Sequence, residues 1–520
     1  MSQQEQFAAA INKGYQFSGP KILLGQAILD GVPVANTPVY VPLKTMNRHG
    51  LIAGATGTGK TKTLQVIAEG LSDASVPVLL LDIKGDLSGI AAPGVAGSKA
   101  AERATALGID YTPQAYPVEL LTLSNNKPGV RLRATVSEFG PVLLSKILGL
   151  NDTQGGIVAL IFKYCDDNSL PLLDLKDFVR VLQFASSEGK EELEKQYGKI
   201  STTSTGTILR KVIELQQQGA DAFFGERSFD VDDLMRIAPD GRGIISILRV
   251  TELQDRPKMF STFMLQLLAE LYASAPEEGD MDQPKLILFI DEAHLIFNEA
   301  SEVLLDQIET VIKLIRSKGI GIFFCTQNPM DIPASVLGQL GMKVQHALRA
   351  FTAADRKVIK QAAENYPETS FYKTDELLTQ LGIGEAFVTL LNEKGIPTPL
   401  VHTMLVPPRS RMDVLTDFEV TQQVQQSKIA AKYNAEVDSE SAYEILNRKL
   451  EAAQKRAAEI EELEAAAKAE KTAAKRAPKE ESWMDNPMVK SAGRTAATMI
   501  TRTLLGVLGF GGSRRKKGFF

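Results

Sequence analysis

The chain has 520 residues, more than one compact core usually holds, so two or three domains are expected. Hydrophobic residues make up 44% and charged residues 23%, the composition of an ordinary globular protein. The formal net charge of −5 excludes a strong overall attraction to nucleic acid or acidic lipid, but it is compatible with a local basic groove.

The first part of the chain, residues 1–45, is a short strand-prone segment. Its start, "MSQQEQFAAAINKGYQ", lacks the basic-then-apolar order of a signal peptide. No window in the chain holds 18 uncharged apolar residues, so we expect no transmembrane segment. The two cysteines, Cys165 and Cys325, are far apart in the chain, which favours a reducing compartment without disulfides or a zinc site. These features predict a cytoplasmic protein.

A glycine-rich loop follows the apolar run "GLIAG" and precedes a helical pattern. It matches G-x-x-x-x-G-K-[ST] at positions 54–61, in the strand–loop–helix context that a P-loop requires. Glycines let consecutive backbone N–H groups converge on a phosphate at the positive end of a helix. The predicted nucleotide-binding residues are Ala55, Thr56, Gly57, Thr58, Gly59, Lys60, Thr61 and Lys62. Lys60 is expected to bridge the β- and γ-phosphates, and the Thr61 hydroxyl is expected to hold Mg²⁺.

The next apolar run ends in charged residues. "VPVLLLDIKGD" places Asp82, Lys84 and Asp86 at the carboxyl end of a predicted strand, either at the rim of a ligand crevice or in a charged surface turn. Residues 46–136 therefore form the first part of the predicted ATPase core. Residues 137–240 have mostly amphipathic helical patterns and are predicted to be a helical insertion.

The second part of the predicted core, 241–410, contains the apolar runs "GIISILRV", "KLILFIDEAH" and "GIGIFFCTQ". Near-continuous apolar runs that alternate with helices predict an α/β fold with a mainly parallel sheet buried on both faces. "GEAFVTLL" at 384–391 is predicted to be a further strand, at an edge of the sheet.

Two of these runs end in residues that suit nucleotide hydrolysis. Asp291 follows "LILFI" and is placed to order the Mg²⁺ shell, while Glu292 is placed to orient and polarise the attacking water. A helix N-cap is the alternative for this acidic pair. Gln327, at the end of "GIGIFFCTQ", is expected to contact a γ-phosphate oxygen or the water, the alternative being a polar turn.

The chain after residue 397 changes in character. "TPLVHTMLVPPRSR" at 398–411 is predicted to be an extended strap that brings Arg409 and Arg411 toward the nucleotide, or else a plain linker. Residues 411–520 form a helical, charged tail. Leu446, Leu450, Ala453, Ala457 and Ile460 have the spacing of a weak heptad seam, and a solvated single helix is the alternative. The end of the tail is a candidate contact for a membrane surface or a protein partner.

The P-loop class can be narrowed further. "DIKG" fits the D-x-x-G of GTPases, but the place of a guanine-reading N-K-x-D reads "TQNPMD". "DEAH" is also the label of a helicase superfamily, whose members need a second nucleotide fold for which too little chain remains. Neither class therefore accounts for this sequence.

Five ordered motifs resemble the HerA/FtsK superfamily of P-loop ATPases, and in particular its bacterial YjgR-like branch. They are "RHGLIAGATGTGKT", "LLLDIKGDLSG", "LILFIDEAHLIF", "LIRSKGIGIFFCTQNPMDIP" and "LGQLGMKVQHALRAFTAADRK", and they lie within residues 20–410. The resemblance implies a RecA-like core, ATP and Mg²⁺, a homo-oligomer that is a hexameric ring, and movement of double-stranded DNA through it.

Two functions remain open at this point. The first is a ring-forming motor on double-stranded DNA, with Lys313, Arg316 and Lys318 as pore residues or as an exposed helix face. The second is an ATPase that regulates or remodels a protein partner, for which the helical insertion and the tail are the contact modules.

Within one subunit, the predicted site has a lysine, a magnesium ligand, a water-positioning acid and a strand-end glutamine, but no arginine that would stabilise transition-state charge. We therefore expect that residue to come from a neighbouring subunit. Arg349 is the leading candidate, with Arg316 and Arg356 in reserve, and a surface ion pair is the alternative role for Arg349.

Overall fold

The structure is a computed structural model that describes residues 2–253, 256–279, 281–298, 302–350, 352–437 and 439–476. The described chain divides into two units. The first comprises residues up to 159 and from 203 to 437, and the second comprises 160–202 and the residues from 439 onward. The sheet and the P-loop belong to the first unit.

Twelve strands are present in the described part of the chain. They are β1 (Lys21–Leu29), β2 (Val32–Pro42), β3 (Gly50–Ala53), β4 (Val78–Asp82), β5 (Val118–Thr122), β6 (Val130–Arg131), β7 (Ile245–Arg249), β8 (Leu286–Ile290), β9 (Ile320–Thr326), β10 (Met342–Gln345), β11 (Glu385–Thr389) and β12 (Val401–Leu405).

The helices fall into two groups along the chain. Those before β7 are α1 (Gln3–Gly14), α2 (Lys60–Asp73), α3 (Lys99–Ala106), α4 (Val136–Ile147), α5 (Asp152–Asp167), α6 (Leu175–Ser186), α7 (Lys190–Tyr197), α8 (Thr202–Gln217) and α9 (Val231–Leu234). Those after β7 are α10 (Pro257–Ser274), α11 (His294–Asn298), α12 (Glu302–Ile315), α13 (Ala334–Leu337), α14 (Ala353–Glu364), α15 (Thr374–Leu377), α16 (Asp417–Gln426), α17 (Ala430–Asn434) and α18 (Ala442–Arg476).

The strands form one sheet in the order β2-β1-β12-β11-β10-β3-β9-β8-β4-β7-β5-β6. From β10 to β6 all neighbouring strands run parallel, whereas β11, β12, β1 and β2 extend the sheet with antiparallel pairs. The central strands β3, β4, β8 and β9 are buried along their whole length, as parallel strands covered on both faces must be. The predicted α/β fold with a mainly parallel sheet is confirmed.

The antiparallel edge differs from the sequence prediction in two respects. The strand at 384–391 was predicted to lie at an edge, but β11 pairs with both β10 and β12, because the N-terminal β1–β2 hairpin adds two strands beyond β12. Residues 1–45 also contain helix α1, which Ser2 and Glu5 cap reciprocally and which buries Phe7 and Ile11.

The helical region between the two halves of the core does not form one inserted body. Residues 137–159 and 203–240 belong to the same unit as the sheet, where α4 and α9 contact α10. Residues 160–202 group instead with the helix of the tail, because α18 packs along α6 and buries Ala442 and Leu446. The tail also begins later than predicted, since residues 411–437 stay with the sheet unit.

Within the second unit, α18 begins at Ala442 and is mostly exposed after its first turns, with Leu463 69% exposed. The tail segment that was a candidate for membrane or partner contact, and the residues from 477 onward, lie outside the described residues. No helix in the described ranges has the length and apolarity that crossing a membrane requires.

Tyr15, just after α1, ties the N-terminus to the antiparallel edge of the sheet. Its hydroxyl lies 2.9 Å from the carbonyl oxygen of Val388 and 2.8 Å from that of Pro399, and it accepts a hydrogen bond from Thr398 Oγ1. The ring is fully buried, which raises the pKa of the phenol.

We predict that Tyr15→Phe lowers the free energy of unfolding by about 1–3 kcal/mol, because buried polar partners are left unsatisfied. Thermal unfolding followed by circular dichroism measures the change as a lower midpoint. Tyr40→Phe is the matched control, since Tyr40 is only partly buried and keeps its ring under Lys21. Equal midpoints for the two variants would contradict the prediction.

Candidate functional site

The P-loop connects β3 to α2 at the carboxyl edge of the parallel sheet. Gly54, Gly57 and Gly59 have φ angles of 150°, 78° and 114°, values that side chains rarely allow. A Cβ on Gly54 would lie 2.5 Å from the His346 Cβ, so this glycine also lets the loop sit directly on the neighbouring strand end. Thr56 and Gly57 are exposed at the tip of the loop. The loop therefore has the open concave backbone that phosphate binding needs.

Lys60, the first residue of α2, is folded back over the loop. Its ammonium donates to the carbonyl oxygens of Gly54 at 2.6 Å and Ala55 at 3.1 Å. Burial, followed by the nearby charge of Lys84, lowers the pKa of Lys60. Thr61, next in the helix, is partly buried. These carbonyls are exchangeable partners, so a phosphate oxygen can replace them as the acceptor for Lys60.

Beneath the loop lies His346, which follows β10. Its Nε2 is 2.9 Å from Thr63 Oγ1 on α2, and burial lowers its pKa to about 3, so the ring is neutral at neutral pH. A neutral imidazole supports the P-loop helix without adding charge beside the phosphate site.

The acidic pair follows β8, two strands from β3 in the sheet. Asp291 and Glu292 are each only 5% exposed. Burial raises the pKa of Asp291 to about 7, an effect that the charge of Lys84 opposes and that of Glu292 increases. Lys84 forms an ion pair with Glu292 Oε1, and His294 Nδ1 lies 3.1 Å from Glu292 Oε2. The N-cap alternative stays open, because the pair lies in the turn before α11 and the Asp291 carboxylate has the backbone N–H of Glu292 as a partner.

The donors at this edge fit a divalent cation. Asp291 Oδ2 is buried and has no hydrogen-bond partner among the described residues, an unsatisfied acceptor that a cation would satisfy. Thr61 supplies a hydroxyl oxygen and Asp291 a carboxylate oxygen, which are hard ligands of the kind that Mg²⁺ prefers. Phosphate oxygens and water would complete its coordination shell. Thr61 and Asp291 would hold the ion.

Gln327 and Arg349 line an open cleft of about 360 Å³ beside the tip of the P-loop. Ala55, Thr56 and Asn328 form the adjoining wall. Gln327 follows β9, the strand between β3 and β8, and both Gln327 and Arg349 are exposed. The structure thus brings Arg349 to the rim of its own subunit's P-loop. Its predicted service to a neighbouring subunit stays a prediction.

A second, mostly apolar cavity of about 230 Å³ adjoins Gly59 at the end of the P-loop. It is lined by residues that include Gly59, Lys62, Lys99, Arg103, Ile383, Pro407, Pro408 and Met412. Arg103 donates to the carbonyl oxygens of Ile383 and Gly384, and the N–H of Gly384 in turn donates to Thr58 O at 2.9 Å. The position of this cavity next to the first turn of α2 suits the nucleoside end of a bound nucleotide.

Lys62, predicted to bind nucleotide, borders this cavity, but its ammonium donates to the carbonyl oxygen of Met412 at 2.6 Å. Burial is the main reason that its pKa is lowered.

The structure does not bring the guanidinium group of Arg409 to the P-loop, whereas the backbone of Arg411 lies beside α2, where its carbonyl oxygen accepts from Gln65 Nε2. Val401–Leu405 of the predicted strap is strand β12, and the chain after it follows α2 toward its C-terminus. There the guanidinium of Arg409 pairs with Asp73, roughly 20 Å along the helix from Lys60. Arg411 makes a two-pronged pair with Glu419, at 3.0 and 2.9 Å. Both guanidinium groups thus have carboxylate partners of their own, and phosphate binding by them stays a prediction that this geometry disfavours.

The basic residues proposed for a pore lie at the amino end of β9, at the opposite edge of the sheet from the P-loop. Lys313 is 3.8 Å from a carboxylate oxygen of Glu309, and Lys318 is 3.1 Å from one of Glu277. The pair of Lys313 agrees with the alternative, an exposed helix face, whereas the side chain of Lys318 is only 13% exposed.

Sequence reasoning missed His346 and Arg103 as parts of the site. Both are more than 40 positions from the P-loop in the chain, and only the sheet order brings them beside it. Lys84 was placed at the crevice rim, but its pairing with Glu292 was not foreseen. The parallel sheet supplied the one usable signal, since β4 and β8 were expected to end at the same edge.

Comparisons with known proteins agree with this architecture. The family model "Helicase HerA-like C-terminal" matches residues 29–516. The DNA double-strand break repair helicase HerA of Sulfolobus acidocaldarius is 20% identical over 399 residues, covering 74% of this chain and 69% of its own. That of Saccharolobus solfataricus is 21% identical over 378 residues, covering 70% and 66%.

Among solved structures, the bacterial conjugative coupling protein TrwB is similar in fold. Its complex with sulphate aligns with a TM-score of 0.52 at 12% identity, over 79% of this chain and 94% of that one. Its complex with ADP and Mg²⁺ aligns with a TM-score of 0.51 at 13% identity, over 78% and 94%.

The sheet, the P-loop after β3 and the acidic pair after β8 together define a P-loop ATPase. Within that class, the chain belongs to the HerA-like helicase C-terminal family, whose model covers most of its length.

Proposed function

We propose that the protein binds and hydrolyses ATP with Mg²⁺, and that a ring of its subunits uses this energy to move double-stranded DNA. The observation that carries the proposal is the arrangement at one sheet edge. Lys60 and the P-loop follow β3, Gln327 follows β9, and Asp291 with Glu292 follows β8. Phosphate binding, metal binding and water activation thus come from three adjacent strands.

In this reaction, the P-loop N–H groups and Lys60 bind and orient the β- and γ-phosphates. Mg²⁺, held by Thr61 and Asp291, would supply charge neutralisation at the phosphate oxygens. Glu292 orients a water molecule for in-line attack and accepts its proton, and Gln327 donates to the water or to a γ-phosphate oxygen. The apolar cavity beside Gly59 and Ile383 receives the nucleoside.

The DNA part of the proposal is supported by the family. The curated relatives are named as DNA repair helicases, and the similar solved structures are of a conjugative coupling protein. The same family supports a ring, which we propose to be a hexamer working in the cytoplasm. A protein partner contacted through the tail is compatible with this role.

An ATPase that remodels a protein without acting on DNA is the second candidate. The net charge of −5, and the ion pairs of Lys313 and Lys318 among the proposed pore residues, favour it. DNA dependence separates the two candidates.

We predict that Lys60→Ala loses most of the affinity for Mg-ATP, because the phosphates lose their ammonium partner. Glu292→Gln still binds Mg-ATP but abolishes phosphate release, because an amide keeps the shape of the carboxylate and cannot accept a proton. Isothermal titration measures the first effect and a phosphate-release assay the second. A fully active Glu292→Gln enzyme would remove Glu292 from the mechanism.

We predict that duplex DNA raises the ATPase rate and that this stimulation falls steeply as salt increases. Binding to phosphates releases counterions, so log affinity declines linearly with log salt. The assay is ATP hydrolysis with and without duplex DNA across a salt series, with Lys60→Ala as the blank. An ATPase rate indifferent to DNA at every salt concentration would favour the protein-remodelling candidate.

We predict that hydrolysis needs an arginine from a neighbouring subunit, and that Arg349 provides it. Such a residue typically contributes ~10³–10⁵ in rate, so Arg349→Ala should be nearly inactive. Mixing Arg349→Ala with Lys60→Ala should restore some activity, because a Lys60→Ala subunit can offer its arginine to an intact P-loop next to it.

Arg349 lies beside the P-loop of its own subunit. If it serves that P-loop, the mixed rings will not hydrolyse ATP. Subunit exchange must be verified with labelled subunits, and Lys360→Ala, at an exposed position of α14, is the control. A shared site would be contradicted if rings that exchange subunits showed no ATP hydrolysis, or if a verified monomer were fully active.

A further inference from the structure

The carboxylate assigned to water activation lies against two basic side chains. Lys84 pairs with Glu292 Oε1, and His294 Nδ1 lies 3.1 Å from Oε2. The backbone of Glu292 also has a φ of 48°, in the left-handed region that non-glycine residues adopt only when their surroundings impose it. In this arrangement the Glu292 carboxylate has Lys84 as its charged partner at Oε1, and a water molecule can take that place only when the ion pair opens.

Lys84 is held in place by a built loop. Asp82, the last residue of β4, accepts hydrogen bonds from the N–H groups of Gly85 at 2.6 Å, Asp86 at 3.1 Å and Leu87 at 3.2 Å. Gly85 takes a φ of 78° to close the turn. Ile83 is fully buried, so the neighbouring Lys84 emerges at the edge where β4 lies beside β8. A flexible surface lysine would not be fixed in this way.

The ion pair between Lys84 and Glu292 is only partly buried. The Lys84 side chain is 33% exposed and that of Glu292 is 7% exposed, so the carboxylate is the buried partner and the lysine the more exposed one. Lys84 also lies close enough to Lys60 for each charge to matter to the other. Two ammonium groups and three carboxylates, those of Asp86, Asp291 and Glu292, thus share one small region.

We propose that Lys84 is a positioning residue that holds Glu292 inactive until a γ-phosphate binds and takes Lys84 as its own partner. This inference rests on the proposed function, because it assumes that the P-loop binds ATP. The γ-phosphate adds the charge that ADP lacks, and a charge-assisted bond to it replaces the ion pair. Glu292, released from Lys84, is then free to orient water, so the base becomes available only when there is a phosphate to transfer.

The exchange makes a prediction about binding alone. In the wild type, γ-phosphate binding must break the Lys84–Glu292 pair. In Glu292→Gln the pair loses its charge, so Lys84 is free and affinity for a non-hydrolysable ATP analogue should rise by about fivefold or more, in the usual range of coupling between sites. Affinity for ADP should not change, because ADP has no γ-phosphate to engage Lys84.

The test is a double-mutant cycle on these affinities, measured by isothermal titration at constant Mg²⁺. Lys84→Met removes the ammonium but keeps an unbranched stem in the loop. In the Lys84→Met background, adding Glu292→Gln should leave the ratio of ATP-analogue to ADP affinity unchanged. Lys84→Arg should keep the coupling. Lys285→Ala, at the opposite end of β8 and paired with Glu278, should behave as the wild type.

Each other outcome has a definite meaning. Equal tightening with and without Lys84 would show simple repulsion between Glu292 and the γ-phosphate, and would overturn the proposal. No tightening in either background would overturn it too. A wild-type protein that binds neither the analogue nor ADP would overturn the proposed function itself. Circular dichroism melts confirm that each variant is folded, and Lys84→Gln replaces Lys84→Met if the latter is not.

Discussion

The parallel direction of the central strands is the constraint on which the site depends. Because β3, β9, β8 and β4 are neighbours and run the same way, their carboxyl ends meet at one edge. Each strand end then delivers a different group: the P-loop, Gln327, the Asp291–Glu292 pair and Lys84. A reversal of any one strand would move its group to the far edge of the sheet, where the helix with Lys313 ends.

This convergence has an electrostatic consequence. Carboxylates at the end of a strand buried on both faces are poorly solvated, so they need cations or protons nearby. The raised pKa of Asp291, about 7, expresses that need. Lys60 and Lys84 supply positive charge, and Mg²⁺ with the phosphates would reorganise the same charges. The site is therefore sensitive to what occupies it, which is the property that an ATP-driven motor requires.

Much of this could be predicted from the sequence, because the signals are local. Gly54 to Thr61 form a motif within eight residues, and the runs ending in Asp291 and Gln327 show by their apolar character that they are buried parallel strands. The order of the strands at the antiparallel edge was harder to predict. Nothing in "GEAFVTLL" tells that β12, β1 and β2 will lie beyond it, since pairing between distant segments leaves no local pattern.

The arginines show a similar limit. Arg409 and Arg411 looked suited to phosphate, but their partners Asp73 and Glu419 become neighbours only through the path of the chain along α2. The division into units was also misplaced, because the affinity of α18 for α6 depends on contacts across more than 250 positions of sequence.

The most direct test of the account is an experimental structure with Mg²⁺ and a non-hydrolysable ATP analogue. It should show the β- and γ-phosphates in the P-loop, with Lys60 turned from the carbonyls of Gly54 and Ala55 to the phosphates. The metal should lie between Thr61 and Asp291, and Glu292 should face the γ-phosphate. An analogue bound elsewhere, with Lys60 still on those carbonyls, would contradict the account.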